Sequence, residues 1–125
     1  MASRRISSLS LFRIRFPIGA IASVSHRLSG AVLVLTLPLI VECFVLSLGT
    51  AQDHALLRAR LDHPLYQLAL LLIGWAAIQH VLAGLRHLLM DVGVGVGLKR
   101  ARQSAWLVLA GGGIGAALLL WSLLR

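Results

Sequence analysis

The sequence predicts an all-α membrane protein with three transmembrane helices. Hydrophobic residues make up 58% of the 125 residues, far above the share found in a soluble domain. A chain of this size has too much surface for its volume to bury that many apolar side chains in water. Three apolar runs are each long enough to span a bilayer, and the basic residues lie mainly outside them.

The excess of positive charge indicates contact with lipid headgroups rather than with nucleic acid. The chain has 12 Lys and Arg against 4 Asp and Glu, which gives a net charge of +8. Because these cations flank apolar runs, membrane topology and anionic headgroups account for them, and we expect no nucleic-acid partner. The single cysteine, Cys43, excludes a disulfide within the chain, and no Cys/His spacing typical of a zinc site occurs.

The first predicted elements are a basic segment over residues 1–16 and a helix over about 18–48. The segment carries four arginines and no acidic residue, and we expect it to be retained as a short extension. Pro17 suits the first turn of a helix, where its missing N–H leaves no hydrogen bond unmade. Near the far end of this helix, Glu42 is expected to reach outward or to bond a neighbouring helix.

A polar loop is predicted over 50–64 and leads to the second helix, which covers about 65–90. Residues 92–97 alternate valine and glycine and indicate a flexible exit from that helix. The third helix is predicted over 105–124. It carries a face of small residues on which we expect another helix to pack closely, namely Gly111, Gly112, Gly113, Gly115 and Ala116.

Three spans in a single membrane domain over 1–125 place the two ends of the chain on opposite sides. The basic N-terminal segment then shares a side with the connection over 91–104, which contains Lys99, Arg100 and Arg102. The other side holds only Arg58, Arg60 and the terminal Arg125. Because basic residues are enriched in cytoplasmic loops, the N-terminus is predicted to be cytoplasmic.

The second helix carries an unusual histidine, His80, inside its apolar run. An α-helix turns about 100° per residue, so His80 and His87 lie almost on one line with Gly84 between them. Small residues flank His80, namely Ala76, Ala77 and Ala83. A nitrogen ligand in a shallow bay of small residues suits a large flat ligand such as an iron porphyrin. The alternative is a polar contact between packed helices, so both interpretations stay open.

A second polar group lies near the start of the first helix. Ser23, Arg27 and Gly30 fall on one helix face, with His26 beside them. A guanidinium there can bind a carboxylate or donate to a carbonyl oxygen, and Ser23 adds a hydroxyl one turn away, which suits the carbonyl of a quinone headgroup. Alternatively, Arg27 reaches lipid phosphates and Ser23 bonds the carbonyl of its own helix.

The two motifs together carry a family resemblance. They read His26-Arg27-x-Ser-Gly30 and, about fifty residues later, His80-x-x-x-Gly-x-Arg-His87. Over roughly residues 11–104, and on three predicted spans, the chain resembles the cytochrome b556 subunits of succinate dehydrogenases. One position departs from the pattern, because Ser25 stands where an apolar residue is expected.

The resemblance implies a membrane anchor in a multi-pass bacterial inner-membrane complex. It implies a second membrane-anchor subunit, an iron–sulfur subunit and a flavoprotein subunit as partners, with succinate oxidised on the flavoprotein and electrons delivered to ubiquinone. This chain would then contain no catalytic residue for succinate chemistry. Two rival interpretations stay open: the anchor of a quinol:fumarate reductase, and a membrane scaffold or small transporter component without redox function.

The resemblance also implies roles for individual residues. His80 would be an axial ligand of the iron of haem b, with the second ligand supplied by the partner anchor. Ser23 and Arg27 would line the quinone pocket, and His26 and Arg27 would lie near the haem propionates. A further cluster is implied to be structural or to face the propionates, namely Arg86, His87 and Asp91.

Overall fold

The computed structural model describes residues 16–125, which form four α-helices and no β-strand. They are α1 (Ile18–Ser47), α2 (Ala51–Leu61), α3 (Pro64–Asp91) and α4 (Leu98–Leu123). Helices α1, α3 and α4 are long and apolar enough to cross a membrane, which confirms the predicted all-α class with three spans. The basic segment predicted over 1–16 lies, except for Phe16, outside the described residues.

The three long helices form a bundle in which α3 packs against both α1 and α4. Most of their leucine and valine side chains are exposed on the outside of the bundle, as expected of helices that face lipid. The buried positions belong mainly to small residues, namely Ala22, Ala76, Ala83, Ala105, Gly112 and Gly115. Because lipid provides no hydrophobic driving force for association, small residues promote packing by letting helix backbones approach closely.

The glycine face of α4 makes the closest of these approaches. A methyl group added at Gly111 would lie 2.8 Å from Leu82 Cδ1, and one added at Gly115 would lie 2.8 Å from Ile78 Cδ1. At Gly112 it would overlap the side-chain oxygen of Gln79, whereas at Gly113 it would meet nothing within 4 Å. The expected packing face is therefore present against α3, but Gly113 is not part of it.

The prediction of a polar loop over 50–64 was wrong for most of that range, because the structure has helix α2 there. Thr50 caps this helix: its hydroxyl accepts a hydrogen bond from the N–H of Asp53, and the Asp53 carboxylate accepts one from the N–H of Thr50. This reciprocal pair is a capping box, which stabilises the first turn. Arg60 of α2 forms an ion pair with Glu42 of α1, so Glu42 bonds a neighbouring helix.

Thr50→Ala is expected to loosen the first turn of α2, because it removes the capping hydroxyl. Loss of an N-cap of this kind should accelerate amide hydrogen exchange in that turn about fivefold. The Thr50 hydroxyl and N–H also hold the pKa of Asp53 below its usual range. In the wild type, the stabilisation that the Asp53 carboxylate gives to the capping box is therefore fully present above the usual pKa and is lost as the pH falls through the lowered pKa. Thr36→Ala is the control, since the Thr36 hydroxyl bonds only carbonyls of its own helix. Equal exchange in both variants would contradict the cap.

The third span begins earlier than the predicted residue 105, at Leu98. Gly97 is the N-cap of this helix, and residues 98–104 contain no proline or glycine that would end the helix before the apolar run. Since Lys and Arg are good helix formers, the basic residues Lys99, Arg100 and Arg102 form the first turns of α4 instead of a loop. The connection shrinks to 92–97, where Gly93 (φ +83°) and Gly95 (φ +77°) adopt the left-handed conformation that glycine tolerates.

The ends of α1 and α3 lie close to their predicted positions, with one difference at Pro17. This residue is the N-cap of α1, with extended backbone angles of φ −63° and ψ 146°, and lies just before the first turn. Pro64 is the first helical residue of α3. Gly19 of α1 and Ala101 of α4 both lie near Arg86 of α3, so the start of α1 lies beside the end of α3 and the start of α4. Arg60 of α2 pairs with Glu42 near the end of α1, so α2 lies at the other end of the bundle.

Candidate histidine site between α1 and α3

His80 turns one edge of its imidazole ring toward α1. Its Nδ1 lies 3.2 Å from the backbone oxygen of His26 and 3.4 Å from the hydroxyl of Ser29. A carbonyl oxygen can only accept, so this position favours the tautomer with the proton on Nδ1. The lone pair is then on Nε2, which has no hydrogen-bond partner among residues 16–125. Helix α1 therefore orients the half-buried His80 ring through Nδ1, and the lone pair on Nε2 is left for another partner.

His26 covers one face of the His80 ring. The two ring centroids are 4.3 Å apart and the planes differ by 20°, so the imidazoles are stacked. Glycines make room for them: a Cβ at Gly30 would lie 3.0 Å from His80 Cε1, and one at Gly84 would lie 3.3 Å from His26 Nε2. Each helix thus provides a glycine where the other places its histidine.

The small-residue bay predicted around His80 is largely used for packing. His26 occupies the space in front of Gly84. Ala76 and Ala83 are buried in the bundle, so two of the three alanines serve helix contacts instead of leaving an open surface. The bay expected on α3 alone is therefore shared with α1.

His87 extends the histidine group toward the start of α1. Its ring centroid lies 5.1 Å from that of His26, with the planes tilted by 44°. Among residues 16–125, no three His, Cys, Asp or Glu side chains are placed to hold a bare metal ion. The histidines thus form a stacked group rather than a metal site complete in itself. Asp91, the last residue of α3, is exposed.

Gln79 and Ser25 form a hydrogen bond that the sequence motifs did not predict. The side-chain amide of Gln79 donates from Nε2 to the Ser25 hydroxyl at 2.9 Å, and that hydroxyl donates to the Ala22 carbonyl at 2.9 Å. Gln79 is only 2% exposed. Two features of the sequence could have indicated this bond: the unexpected polar residue at position 25 and a glutamine within an apolar helix.

Arg86 links α3 to α4. It donates from Nε to the Ser104 hydroxyl at 3.1 Å and from a terminal nitrogen to the Ala101 carbonyl at 3.2 Å, and it is 8% exposed. These contacts lie on the α4 side of α3, whereas the stacked histidines lie on the α1 side. Through these contacts Arg86 joins α3 to α4.

Ser23 and Arg27 do not join the contacts between α1 and α3. Arg27 is exposed, Ser23 is half-buried, and neither side chain has a hydrogen-bond partner within the described part of the chain. The structure thus brings His26 and His80 together and leaves Arg27, the next residue after His26, on the outer surface of α1. There its guanidinium can donate hydrogen bonds to an anion or a carbonyl oxygen outside this chain.

Comparison with known proteins agrees with this fold. Residues 1–120 match the family model described as succinate dehydrogenase/fumarate reductase transmembrane subunit. The chain is 35% identical over 109 residues to a protein of Coxiella burnetii (strain RSA 493 / Nine Mile phase I) named succinate dehydrogenase cytochrome b556 subunit, covering 86% of this chain and 87% of that protein. A Paracoccus denitrificans protein of the same name is 33% identical over 112 residues, covering 85% and 82%. The chain belongs to the succinate dehydrogenase/fumarate reductase transmembrane subunit family.

Proposed function

We propose that this chain is the haem b-binding anchor subunit of a bacterial succinate dehydrogenase and contributes to its ubiquinone site. The observation that carries the proposal is the oriented imidazole of His80, whose Nδ1 is bonded to α1. Two relatives named cytochrome b556 subunits support the haem assignment. The family description includes both enzyme directions, and the names of these relatives favour succinate oxidation.

The residues around His80 fit a haem ligand. A metal-binding histidine usually donates its second ring N–H to a carbonyl or a carboxylate, which fixes the tautomer, and the His26 carbonyl is placed to accept it. A porphyrin supplies four nitrogens to its iron, so this chain needs to add only one, Nε2 of His80, and the partner anchor would add the other. His26 and Arg27 would hold the propionates. Bound haem would carry one electron reversibly, at a potential that its ligands and surroundings set.

Ser23 and Arg27 would act on the quinone. Arg27 is exposed on α1, where a second membrane-anchor subunit would enclose it and exclude water. Its guanidinium would donate to a quinone oxygen while negative charge develops there, and a preorganised donor stabilises that charge more strongly in a dry site than in water. The Ser23 hydroxyl would be a second donor, one helical turn earlier.

The assembly follows from the same proposal. The flavoprotein and iron–sulfur subunits would bind on the cytoplasmic side, together with the N-terminus of this chain. The first turns of α4 carry Lys99, Arg100 and Arg102, which would contact anionic headgroups of the inner membrane on that side. Succinate chemistry would belong to the flavoprotein, and this subunit would contribute binding, orientation and electrostatics.

A reduced-minus-oxidised optical spectrum tests the proposal. The complex would be purified through a tag on this chain, and a b-type α-band is expected. A complex without that band would overturn the haem assignment and return His80 to a packing role. Quinone preference in steady-state turnover would then separate succinate dehydrogenase from the alternative, the anchor of a menaquinol-dependent fumarate reductase. A scaffold without redox function predicts no haem and no flavoprotein partner.

Arg27→Leu is expected to lower quinone reduction about 100-fold, the usual effect of removing one donor to a developing oxyanion. Ser23→Ala should have a smaller effect in the same direction. Succinate oxidation with an artificial acceptor should be unchanged, because that acceptor takes electrons before the quinone site. Arg58→Leu is the matched control, since Arg58 is an exposed arginine at the opposite end of the bundle. Equal loss of both activities in Arg27→Leu would contradict the quinone role.

A further inference from the structure

The hydrogen bond between Ser25 and Gln79 joins the two helices at the level of the stacked histidines. Ser25 immediately precedes His26 on α1, and Gln79 immediately precedes His80 on α3. We propose that this bond, here called the Ser25–Gln79 clamp, makes Gln79 and Ser25 positioning residues for His80 and His26. The inference rests on the proposed function, since it concerns the imidazole that would bind haem.

The clamp fixes the rotation of one helix relative to the other. Neighbouring residues on a helix are 1.5 Å apart along the axis and about 100° apart around it, so a contact at residues 25 and 79 determines where the next side chains point. A rotation of about 20° would move a side-chain atom at a radius of about 5–6 Å by about 2 Å. That displacement would break the 3.2 Å contact of His80 Nδ1 with the His26 carbonyl and disturb the 4.3 Å ring stack.

Helix α4 holds the Gln79 amide in place from the other side. The side-chain oxygen of Gln79 faces the backbone at Gly112, so closely that a methyl group added there would overlap it. The amide is therefore confined between the Ser25 hydroxyl and the α4 backbone, and it contacts all three spans. At 2% exposure, Gln79 is shielded from solvent.

The bilayer makes the bond selective for this one geometry. A buried amide without a partner is costly, and the hydrocarbon interior offers no water to replace a lost contact. A rotation or shift that separates Gln79 from Ser25 would leave the amide without this bond. The clamp thus favours the one register in which His80 also reaches the α1 backbone.

The test uses Ser25→Ala, Gln79→Leu and the double variant in the purified complex. Ser25→Ala removes one oxygen atom, so assembly should persist. Ser47→Ala is the matched control, because Ser47 on the same helix also donates to the carbonyl three residues earlier, and its hydroxyl has no bond to another helix within residues 16–125. Three properties are measured: the thermal stability of the complex, the electron paramagnetic resonance spectrum of the oxidised haem, and the rate of haem transfer to apomyoglobin.

The clamp predicts non-additive losses of stability. Ser25→Ala leaves the Gln79 amide without its partner, and Gln79→Leu leaves the Ser25 hydroxyl without its donor. The double variant removes both groups, so it should be more stable than the sum of the two single effects predicts. Additive effects would show that the two side chains are not coupled and would overturn the clamp.

The positioning role predicts a haem effect that the double variant does not repair. All three variants should shift the g-values of the haem and accelerate haem loss about tenfold. This is the lower end of the range of effects seen when a group that orients a metal ligand is removed. Coupled stability with an unchanged haem spectrum would mean that the bond serves packing alone and would overturn the proposal. A wild-type complex without a b-type band would instead overturn the proposed function, while the stability measurements would still report whether Ser25 and Gln79 are coupled.

Discussion

Replacing His80 with leucine is expected to abolish the b-type α-band of the purified complex. The variant removes the ring whose Nδ1 is fixed by α1 and whose Nε2 would bind the iron. Leucine fills a similar volume without a lone pair, so the helices should still pack. Succinate oxidation with an artificial acceptor should continue, because it occurs on another subunit. The measurement is the reduced-minus-oxidised spectrum, normalised to flavin content.

His87→Leu provides the matched control for that experiment. His87 lies two turns from His80 on α3, and its ring is 5.1 Å from His26. It makes no hydrogen bond to α1, so nothing in the structure orients it as a ligand. We expect this variant to keep the band. A band that persists in His80→Leu, or that both variants lose equally, would contradict the assignment of His80.

The sequence predicted the number and type of the spans because lipid imposes a simple requirement. A spanning helix must be apolar over about 20 residues, and this signal is visible in composition. The signals for α2 and for the start of α4 were local instead. Thr50 and Asp53 form a capping box inside a polar stretch, and the basic residues before residue 105 look like a loop although they favour helix. Polarity was therefore a poor guide to helix boundaries outside the membrane.

The arrangement of the site could be predicted only within each helix. Spacing along α3 placed His80 and Gly84 on one line. Spacing along α1 placed Ser23, Arg27 and Gly30 on one face. Which atoms meet across the two helices depends on their relative rotation, which no spacing within one helix reports. The contact of His80 with the α1 backbone, the stack with His26 and the bond from Gln79 to Ser25 all depend on that rotation.

Within residues 16–125, three hydrogen bonds between two side chains link the spans, and all of them lie in the half of the bundle that contains the start of α1. They connect Ser29 with His80, Ser25 with Gln79, and Ser104 with Arg86. No buried side-chain nitrogen or oxygen among residues 16–125 lacks a hydrogen-bond partner. In an apolar medium such bonds are satisfied in few helix arrangements. This half of the bundle is therefore the better defined one, and it is the half that holds the candidate site.

Gly112→Ala is expected to destabilise the bundle although it adds only one methyl group. The added carbon would overlap the Gln79 side-chain oxygen, and Gln79 has no room to move because it is buried and bonded to Ser25. Overpacking of this kind typically costs about 1–3 kcal/mol. We expect a lower midpoint of thermal unfolding and less assembled complex per unit of membrane.

Gly113→Ala is the control for this prediction, because a methyl group at position 113 would meet nothing within 4 Å. The two variants add the same atom to the same helix at adjacent residues, so they differ only in what the methyl group meets. Adding Gln79→Ala to Gly112→Ala should recover part of the lost stability, since it removes the overlapping oxygen. Equal midpoints for the Gly112 and Gly113 variants would show that α4 does not approach α3 closely at this point, and the confinement of Gln79 would then have no basis.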